Sequence, residues 1–260
     1  MLRRPRQRLS PARATAWATS WSTLMAAATD TVSHVASSRW DPVDAEPDVA
    51  TRCSYGAFMS SIERFDNRVF SSPVAEAAAM DPQQRLLLER GYAALQAAQQ
   101  DRAALGGSLT GVFLGFGGTE FAQVLAASPL GSSVYSATGT TSSVASGRLP
   151  YVLGLHGPCV SYDTACSEAL TACHAGLRAL QLAECAVGLV AGVALMLTPC
   201  VGMSFAVAGM TSARGRSHTF AARADGYARG EACGGVALRC GMTVSYTHLR
   251  AHETVLDGVC

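Results

Sequence analysis

The sequence predicts an α/β fold built in layers, with mainly parallel strands. Short apolar segments typical of strands alternate along the chain with segments of helical periodicity. Apolar residues make up 49% of the 260 residues and charged residues only 15%, against a usual charged share of about 25% in soluble domains. This composition, together with 25 glycines, favours buried sheets and closely packed helices.

The first strongly periodic segment, residues 81–100, predicts a helix. Asp81 stands at its N-cap and Pro82 in its first turn, where a missing N–H costs nothing. Residues 111–115 then predict a short buried strand, and residues 142–151 a second helix.

The chain continues with a strand at residues 159–162 that leads directly to Cys166. After it, apolar side chains recur at helical spacing at Leu170, Cys173, Leu177 and Leu180. Residues 186–197 and 234–238 predict two further strands. The run 186–197 is the longest apolar segment, but it is too short to span a bilayer and carries two glycines, so we interpret it as a buried strand.

Charge and cysteine content exclude several classes of function. The formal net charge of +1 gives no basis for nucleic-acid binding or for attraction to an anionic membrane. The nine cysteines include no CxxC pair and no zinc-type cluster, which favours reduced thiols in an intracellular protein. All twenty basic residues are arginine, so the chain contains no lysine.

Cys166 is the candidate catalytic residue. It follows an extended segment and opens a predicted helix, where unpaired N–H groups and the helix dipole stabilise a thiolate. The alternative is a small buried thiol without a reaction. A Cys–His hydrolase would also need a close histidine and an orienting amide or carboxylate, and Asn67 is the only asparagine.

Six groups of residues carry a resemblance to a known family. They lie between residues 21 and 240, in this order: Trp21 to Leu24 with Arg39-Trp40-Asp41; Phe65-Asp66 and Phe70; Met80-Asp81-Pro82-Gln83-Gln84-Arg85-Leu86-Leu87-Leu88-Glu89; Ser146-Gly147-Arg148-Leu149 with residues 151–158; Asp163-Thr164-Ala165-Cys166-Ser167; and Ala224-Asp225-Gly226-Tyr227-Ala228-Arg229-Gly230-Glu231. On these residues the chain resembles the ketosynthase domain of polyketide synthases and the related β-ketoacyl synthases of the thiolase superfamily. Cys159 and Cys166, combined with residues 215–218, are similar to single-domain ketosynthases of marine algae.

The resemblance implies a fold, a reaction and partners. The expected fold is the N-terminal half of the thiolase-like layered α-β-α-β-α architecture, truncated, which would expose apolar surface and fold poorly alone. Cys166 would accept an acyl chain from the phosphopantetheine arm of an acyl carrier protein, before decarboxylative condensation with a malonyl-type extender. The family makes this an acyltransferase of the 3-oxoacyl-[acyl-carrier-protein] synthase type. It implies no bound cofactor or metal, a homodimer in the intact protein, no nucleic acid and no membrane span.

The family's decarboxylation step also uses two histidines and a lysine, and we expect none of them here. His156 falls at a position without a catalytic role in the family, and His34 lies far from any family landmark. His174 lies about two turns along the helix from Cys166 and His218 lies in a loop, so we expect all four histidines to be structural or exposed. Without these groups we predict that this chain is inactive in condensation. The alternative is a non-catalytic thiolase-fold module for dimerisation or scaffolding, although the retained Cys166 argues against it.

The two ends of the chain differ from the rest. Residues 1–16 contain five arginines and no acidic residue, as in an organelle transit peptide or an arbitrary extension of a partial transcript. Residues 17–243 form the ketosynthase region. We interpret residues 244–260, which include His248 and His252, as an adapter-derived tail, and we expect this tail to be disordered and without function.

Overall fold

The computed structural model describes residues 30–41, 43–118, 120–240 and 255–258. These residues form a five-stranded sheet with helices on both faces and a separate two-stranded sheet. The strands are β1 (Val32–His34), β2 (Tyr55–Ala57), β3 (Thr110–Gly115), β4 (Cys159–Tyr162), β5 (Val187–Ala194), β6 (Ala232–Cys240) and β7 (Val255–Gly258). The α-helices are α1 (Pro47–Arg52), α2 (Val74–Ala79), α3 (Pro82–Ala97), α4 (Arg102–Leu105), α5 (Glu120–Ala126), α6 (Ser136–Thr140), α7 (Ser142–Leu153), α8 (Glu168–Gln181) and α9 (Cys200–Val207).

The strand order of the larger sheet is β4-β3-β5-β6-β7. Strand β3 is parallel to both of its neighbours, with Val112 opposite Cys159 on β4 and Leu189 on β5. The prediction of parallel strands is therefore confirmed for β3, β4 and β5. The exception is β6, which is antiparallel to β5 with Ala194 opposite Ala232. The connection from β5 to β6 stays at one edge of the sheet, so the chain re-enters the sheet in the opposite direction.

Alternating side chains of the central strands pack into two cores, one on each face of the sheet. Val112 and Leu114 of β3 face a large cluster that includes side chains of α3 and α7. Phe113, between them, faces a smaller cluster with Ala172 and Leu180 of α8. This period of two places helices on both faces, which is the layered α/β arrangement that the sequence predicts.

The predicted helices and strands agree closely with the observed ones. Helix α3 begins at Pro82, and the side chain of Asp81 accepts a hydrogen bond from the backbone N–H of Gln83 at 2.7 Å, as expected of an N-cap. Helix α7 extends the predicted segment to Leu153, and helix α8 covers the predicted apolar repeat.

Strand β5 ends earlier than the sequence predicts. The apolar run continues to Leu197, but the strand ends at Ala194. From Leu195 the backbone N–H groups bond to side chains instead of a neighbouring strand; that of Leu195 donates to Oε1 of Gln83 at 3.2 Å. The residues after the strand therefore form a loop at the carboxyl edge of the sheet.

The C-terminal prediction of a disordered tail is wrong for four residues. Val255–Gly258 form β7, which pairs in parallel with residues 237–240 of β6. Without it β6 would present an unpaired edge, and an extended segment such as Val-Leu-Asp-Gly can bond to such an edge through its backbone. The Arg-rich residues 1–16 and both His248 and His252 lie outside the described residues. Within the part that the structure describes, no helix is long and apolar enough to cross a membrane.

Candidate active site

Cys166 lies on a tight turn between β4 and α8, at the carboxyl edge of the sheet. The residue before it, Ala165, has a positive φ of 54°, a left-handed conformation that is uncommon for a residue with a side chain. Cys166 belongs to a single 3₁₀ turn, Ala165–Ser167, that leads into α8, and its side chain is exposed. A strained strand-to-helix turn of this kind presents a nucleophile to solvent at the top of a sheet.

Hydroxyl groups hold this turn in place. The Ser167 hydroxyl donates to the backbone oxygen of Thr164 at 3.0 Å, and the Thr164 and Thr171 hydroxyls lie 3.1 Å apart. Ser167 is the N-cap of α8 but makes no side-chain cap hydrogen bond. Among the described backbone hydrogen bonds, none uses the N–H of Cys166. This amide is therefore open to an anionic atom next to the thiol.

Small residues let the start of α8 approach the sheet closely. A Cβ atom added to Gly115, the last residue of β3, would lie 2.6 Å from the backbone nitrogen of Ala169. A Cβ atom on Gly192 of β5 would lie 3.0 Å from the Cβ of Ala169. Ala169 thus sits over the ends of two strands, and this contact fixes the height of the Cys166 turn above the sheet.

Two carboxyl groups flank Cys166 in sequence and converge on one glycine. A Cβ atom on Gly117 would lie 2.5 Å from Oε2 of Glu168 and 3.0 Å from Oδ1 of Asp163. Burial raises the pKa of Glu168, and the negative charge of Asp163 raises it further. Glu168, two residues after Cys166, therefore brings an acid to the same glycine as Asp163.

The described histidines lie apart from the thiol. The His34 ring packs on Tyr55 with ring centroids 4.4 Å apart, and His156 and His174 are exposed. His218 is half-buried in a loop. No described hydrogen bond or ion pair joins any of the four to Cys166, and the described residues contain no cluster of three or more histidine, cysteine or acidic side chains suited to a metal.

Two of the sequence landmarks meet between α3 and α7. The guanidinium of Arg148 on α7 donates to Oε1 of Gln84 at 2.6 Å and pairs with Glu76 at 2.5 Å. The amide of Gln84 in turn donates to the backbone oxygen of Thr141 at 3.2 Å. Gln84 and Arg148 are 64 positions apart in sequence, and their contact joins α3 to α7 on one face of the sheet.

A second buried network fixes the loop after β5. Both carboxylate oxygens of Glu231 pair with Arg39, at 2.9 and 2.8 Å, and the Glu231 side chain is fully buried. The same carboxylate accepts from the backbone N–H of Met59 at 2.7 Å and of Met196 at 2.9 Å. Glu231 therefore joins the early Arg-Trp-Asp landmark to the edge of the sheet where Cys166 lies.

Glu120 completes the support of this loop. Its Oε2 accepts from the backbone N–H groups of Leu197 and Thr198, both at 2.7 Å. Together with Gln83 and Glu231, it binds four consecutive amides, residues 195–198, from three different parts of the chain. The sequence analysis missed the role of Glu120, which lies in none of the six landmarks. Gln83 and Glu231, by contrast, each belong to a landmark.

Comparison with known proteins gives the class that this fold and site define. The family model described as "Beta-ketoacyl synthase, N-terminal domain" matches residues 10–240. The chain therefore belongs to the β-ketoacyl synthase family, and it has the thiolase-like ketosynthase fold.

The similar proteins are polyketide synthases. The chain is 45% identical over 195 residues to polyketide synthase GfsB of Streptomyces halstedii, covering 75% of this chain and 4% of that protein. It is 40% identical over 220 residues to the spectinabilin polyketide synthase system protein NorC of Streptomyces orinoci, covering 82% of this chain and 10% of that protein. The chain thus spans a tenth or less of these relatives.

Solved ketosynthase structures have the same fold. The ketosynthase from module 6 of the bacillaene synthase from Bacillus subtilis 168 gives a TM-score of 0.74 at 33% identity, covering 85% of this chain and 36% of that chain. An oxazolomycin ketosynthase domain from Streptomyces albus JA3453 gives a TM-score of 0.75 at 30% identity. This match covers 84% of this chain and 39% of that chain. The predicted family and fold are confirmed, and the chain covers less than two fifths of each ketosynthase chain.

Proposed function

We propose that Cys166 is the acyl-accepting nucleophile of a polyketide-type β-ketoacyl synthase. The observation that carries this proposal is the exposed thiol on a left-handed turn at the start of α8. Membership of the family supports the same role, because the Asp-Thr-Ala-Cys-Ser segment that holds Cys166 resembles the family's active-site signature.

The first step is a thioester exchange. The Cys166 thiolate attacks the carbonyl carbon of an acyl thioester and forms a new carbon–sulfur bond. The bond between that carbon and the donor sulfur then breaks, and the donor leaves as a thiol after taking up a proton. Negative charge develops on the carbonyl oxygen in between, and we propose that it is stabilised by the Cys166 N–H, for which no hydrogen bond is found among the described residues.

We propose that this chain stops at the acyl-enzyme. Decarboxylation of a malonyl-type extender needs donors that stabilise the enolate left after carbon dioxide departs. The chain has no lysine, and none of the four described histidines bonds to the Cys166 turn. Acylation without condensation is the expected behaviour.

The proposed donor is an acyl carrier protein that presents the chain on phosphopantetheine. Thioester exchange needs only the Cys166 thiolate and the thioester of the substrate. We therefore propose that this domain binds no cofactor. We also propose that the intact protein is a homodimer, since β4 is an edge strand of the larger sheet.

A non-catalytic association module is the second candidate. Exposed apolar side chains favour it, because Val134, Tyr151 and Leu170 are 87%, 90% and 74% exposed. An association module would leave Cys166 no more reactive toward thioesters than any other exposed cysteine, which separates the two candidates.

Intact-mass measurement tests the proposed function. The chain is incubated with an acyl-carrier thioester, then with malonyl carrier protein. The matched variants are Cys166→Ser and Cys159→Ser, which each remove one exposed thiol. We expect a mass increase of one acyl group in the native chain and in Cys159→Ser, none in Cys166→Ser, and no further increase with malonyl carrier protein. Acylation of Cys166→Ser to the same extent would contradict the proposal, and extension by two carbons would contradict the predicted inactivity.

A further inference from the structure

A cavity remote from the Cys166 turn in sequence lies where α1, β2 and the start of α9 meet. The space that its wall encloses is small, about 10 Å³, and the cavity opens to solvent. Its wall combines aromatic side chains with cationic and hydroxyl groups: Trp40, Tyr55, Phe58, Arg52, Arg229 and Thr211. Aromatic walls with convergent polar groups are typical of binding sites.

The Thr211 hydroxyl in this wall lacks a hydrogen-bond partner among the described residues. Thr211 is only 4% exposed, and its Oγ1 is buried. A buried hydroxyl is normally paired, so this one indicates an occupant that the protein chain does not supply.

Arg229 supplies open donors beside it. Its side chain is 17% exposed, and its guanidinium lies over the Phe205 ring at 5.4 Å. Within the described residues, the carboxylate paired with it is that of Glu120, at 3.8 Å, beyond hydrogen-bond distance. Across the described ranges no hydrogen bond from this guanidinium is found. Arg52, by contrast, donates from Nε to Asp48 and from Nη1 to two backbone oxygens.

The start of α9 adds a third element. Its N-cap, Pro199, makes no side-chain cap hydrogen bond, and Gly202 in its first turn also lines the cavity. Nη1 of Arg229 lies 3.2 Å from the position of a Cβ on Gly202. The Arg229 guanidinium therefore lies close to the positive end of a helix, and within the described residues its ion-pair partner is the Glu120 carboxylate at 3.8 Å.

We infer that this cavity binds a small oxyanion, a carboxylate or phosphate group, held by the Arg229 guanidinium, the Thr211 hydroxyl and the first-turn amides of α9. Such an anion would satisfy the unpaired hydroxyl, separate two positive groups and tie α1 and β2 to the loop after β5. Two acidic groups beside the wall already have partners: Glu120 accepts from backbone amides and pairs with Arg229 at 3.8 Å, and Asp48 pairs with Arg52. The inference does not depend on the role of Cys166.

Cys53 provides a reporter because it lines the same cavity. Burial raises the pKa of its thiol, and Arg229 acts in the opposite direction. The experiment measures the iodoacetamide alkylation rate of Cys53 by peptide mass spectrometry while inorganic phosphate or acetate is titrated at constant ionic strength with sodium chloride. We expect a saturable, several-fold slowing at Cys53 and none at Cys159, which is exposed on β4. Protection by phosphate alone or by acetate alone identifies which of the two groups the site takes.

Variants locate the site. Thr211→Val removes the hydroxyl at nearly constant shape, Thr211→Ser keeps it, and Arg229→Met removes the donors. We expect the anion dissociation constant to rise at least tenfold in Thr211→Val and Arg229→Met and to stay within about twofold in Thr211→Ser. If Arg229→Met does not fold, the comparison of Thr211→Val with Thr211→Ser still shows whether the Thr211 hydroxyl binds the anion. An unchanged Cys53 rate in phosphate and acetate, equal slowing by chloride, or equal protection in Thr211→Val and the native chain would overturn the inference.

Discussion

Gly115 on β3 and Ala169 on α8 are in direct backbone contact. A Cβ atom on Gly115 would lie 2.6 Å from the nitrogen and 2.8 Å from the Cα of Ala169. Real Cβ atoms do not approach backbone this closely, so only glycine fits at position 115. The helix that carries the candidate nucleophile is thus seated on the central strand with no side chain between them.

We predict that Gly115→Ala destabilises the protein by about 1–3 kcal/mol, because the new methyl group must push α8 away from β3. The displacement also moves the Cys166 turn, so the acylation rate should fall. Urea unfolding measures the first effect and intact-mass kinetics the second.

The matched control is Gly147→Ala. Gly147 lies inside α7 with nothing within 4 Å of its Cβ position. Alanine there should leave stability unchanged or raise it by about 0.5–1 kcal/mol, through its better helix propensity. Equal behaviour of the two variants would contradict the close contact at Gly115.

Glu231→Gln should cost about 3–5 kcal/mol of unfolding free energy, because it removes the charge of a fully buried carboxylate that pairs with the largely buried Arg39. Denaturant unfolding monitored by circular dichroism measures the loss. Glu63→Gln is the control, since the pair between Glu63 and Arg64 is 3.8 Å long and largely exposed. Glu63→Gln should change stability by less than about 1 kcal/mol. A similar loss in Glu63→Gln and Glu231→Gln would contradict the structural role given to the Glu231 carboxylate.

The stability of the protein should depend on pH through Asp81. Burial is the largest cause that raises the pKa of Asp81, to about 6, above the usual value of about 3.9 for an unfolded chain. The folded state therefore binds more protons than the unfolded state between these values. The contribution of Asp81 to the stability of the protein is therefore largest below pH 4. It falls by roughly 2–3 kcal/mol as the pH rises through 6.

Asp81→Asn should remove this loss while keeping the N-cap bond to Gln83. We expect the variant to be more stable than the native chain at pH 8 and no more stable at pH 4, as measured by urea unfolding at both pH values. Ser128→Ala is the control, because it removes the N-cap bond of the 3₁₀ turn Pro129–Ser132 without removing a titrating group, so its stability change should be equal at the two pH values. A pH-independent difference for Asp81→Asn would refute the assignment.

Glu168→Ser should make Cys166 more reactive. The Glu168 carboxyl lies on the first turn of α8, and a negative charge there opposes thiolate formation. We expect the iodoacetamide alkylation rate of Cys166 at pH 7.5 to rise roughly two- to fivefold. Glu184→Ser, beyond the end of the same helix, should leave the rate unchanged. A slower rate in Glu168→Ser would show that this carboxyl assists the thiol.

Local sequence signals predicted the elements next to Cys166 well. The apolar repeat after residue 167 and the short apolar strands depend on neighbouring residues, so α8, β3 and β4 could be located from the sequence alone. The Asp-Pro pair likewise predicted the start of α3 through a cap that spans two residues.

Long-range bonds explain what could not be predicted. Strand β5 ends at Ala194 because Gln83, Glu120 and Glu231 take the next four amides, and no local pattern shows this. Glu120 in particular lies 77 residues from Leu197, the amide that it accepts from. The antiparallel direction of β6 and the pairing of β7 also depend on contacts between distant parts of the chain.

The most direct test of the account is the acyl occupancy of each exposed cysteine in one sample. Cys159, Cys166 and Cys200 are all exposed, so they meet an acyl-carrier thioester under the same conditions. Peptide mass spectrometry at early times should find at least tenfold more acyl group on Cys166 than on either of the other two. Equal occupancy of the three thiols would contradict the claim that the turn at the start of α8 makes Cys166 the nucleophile.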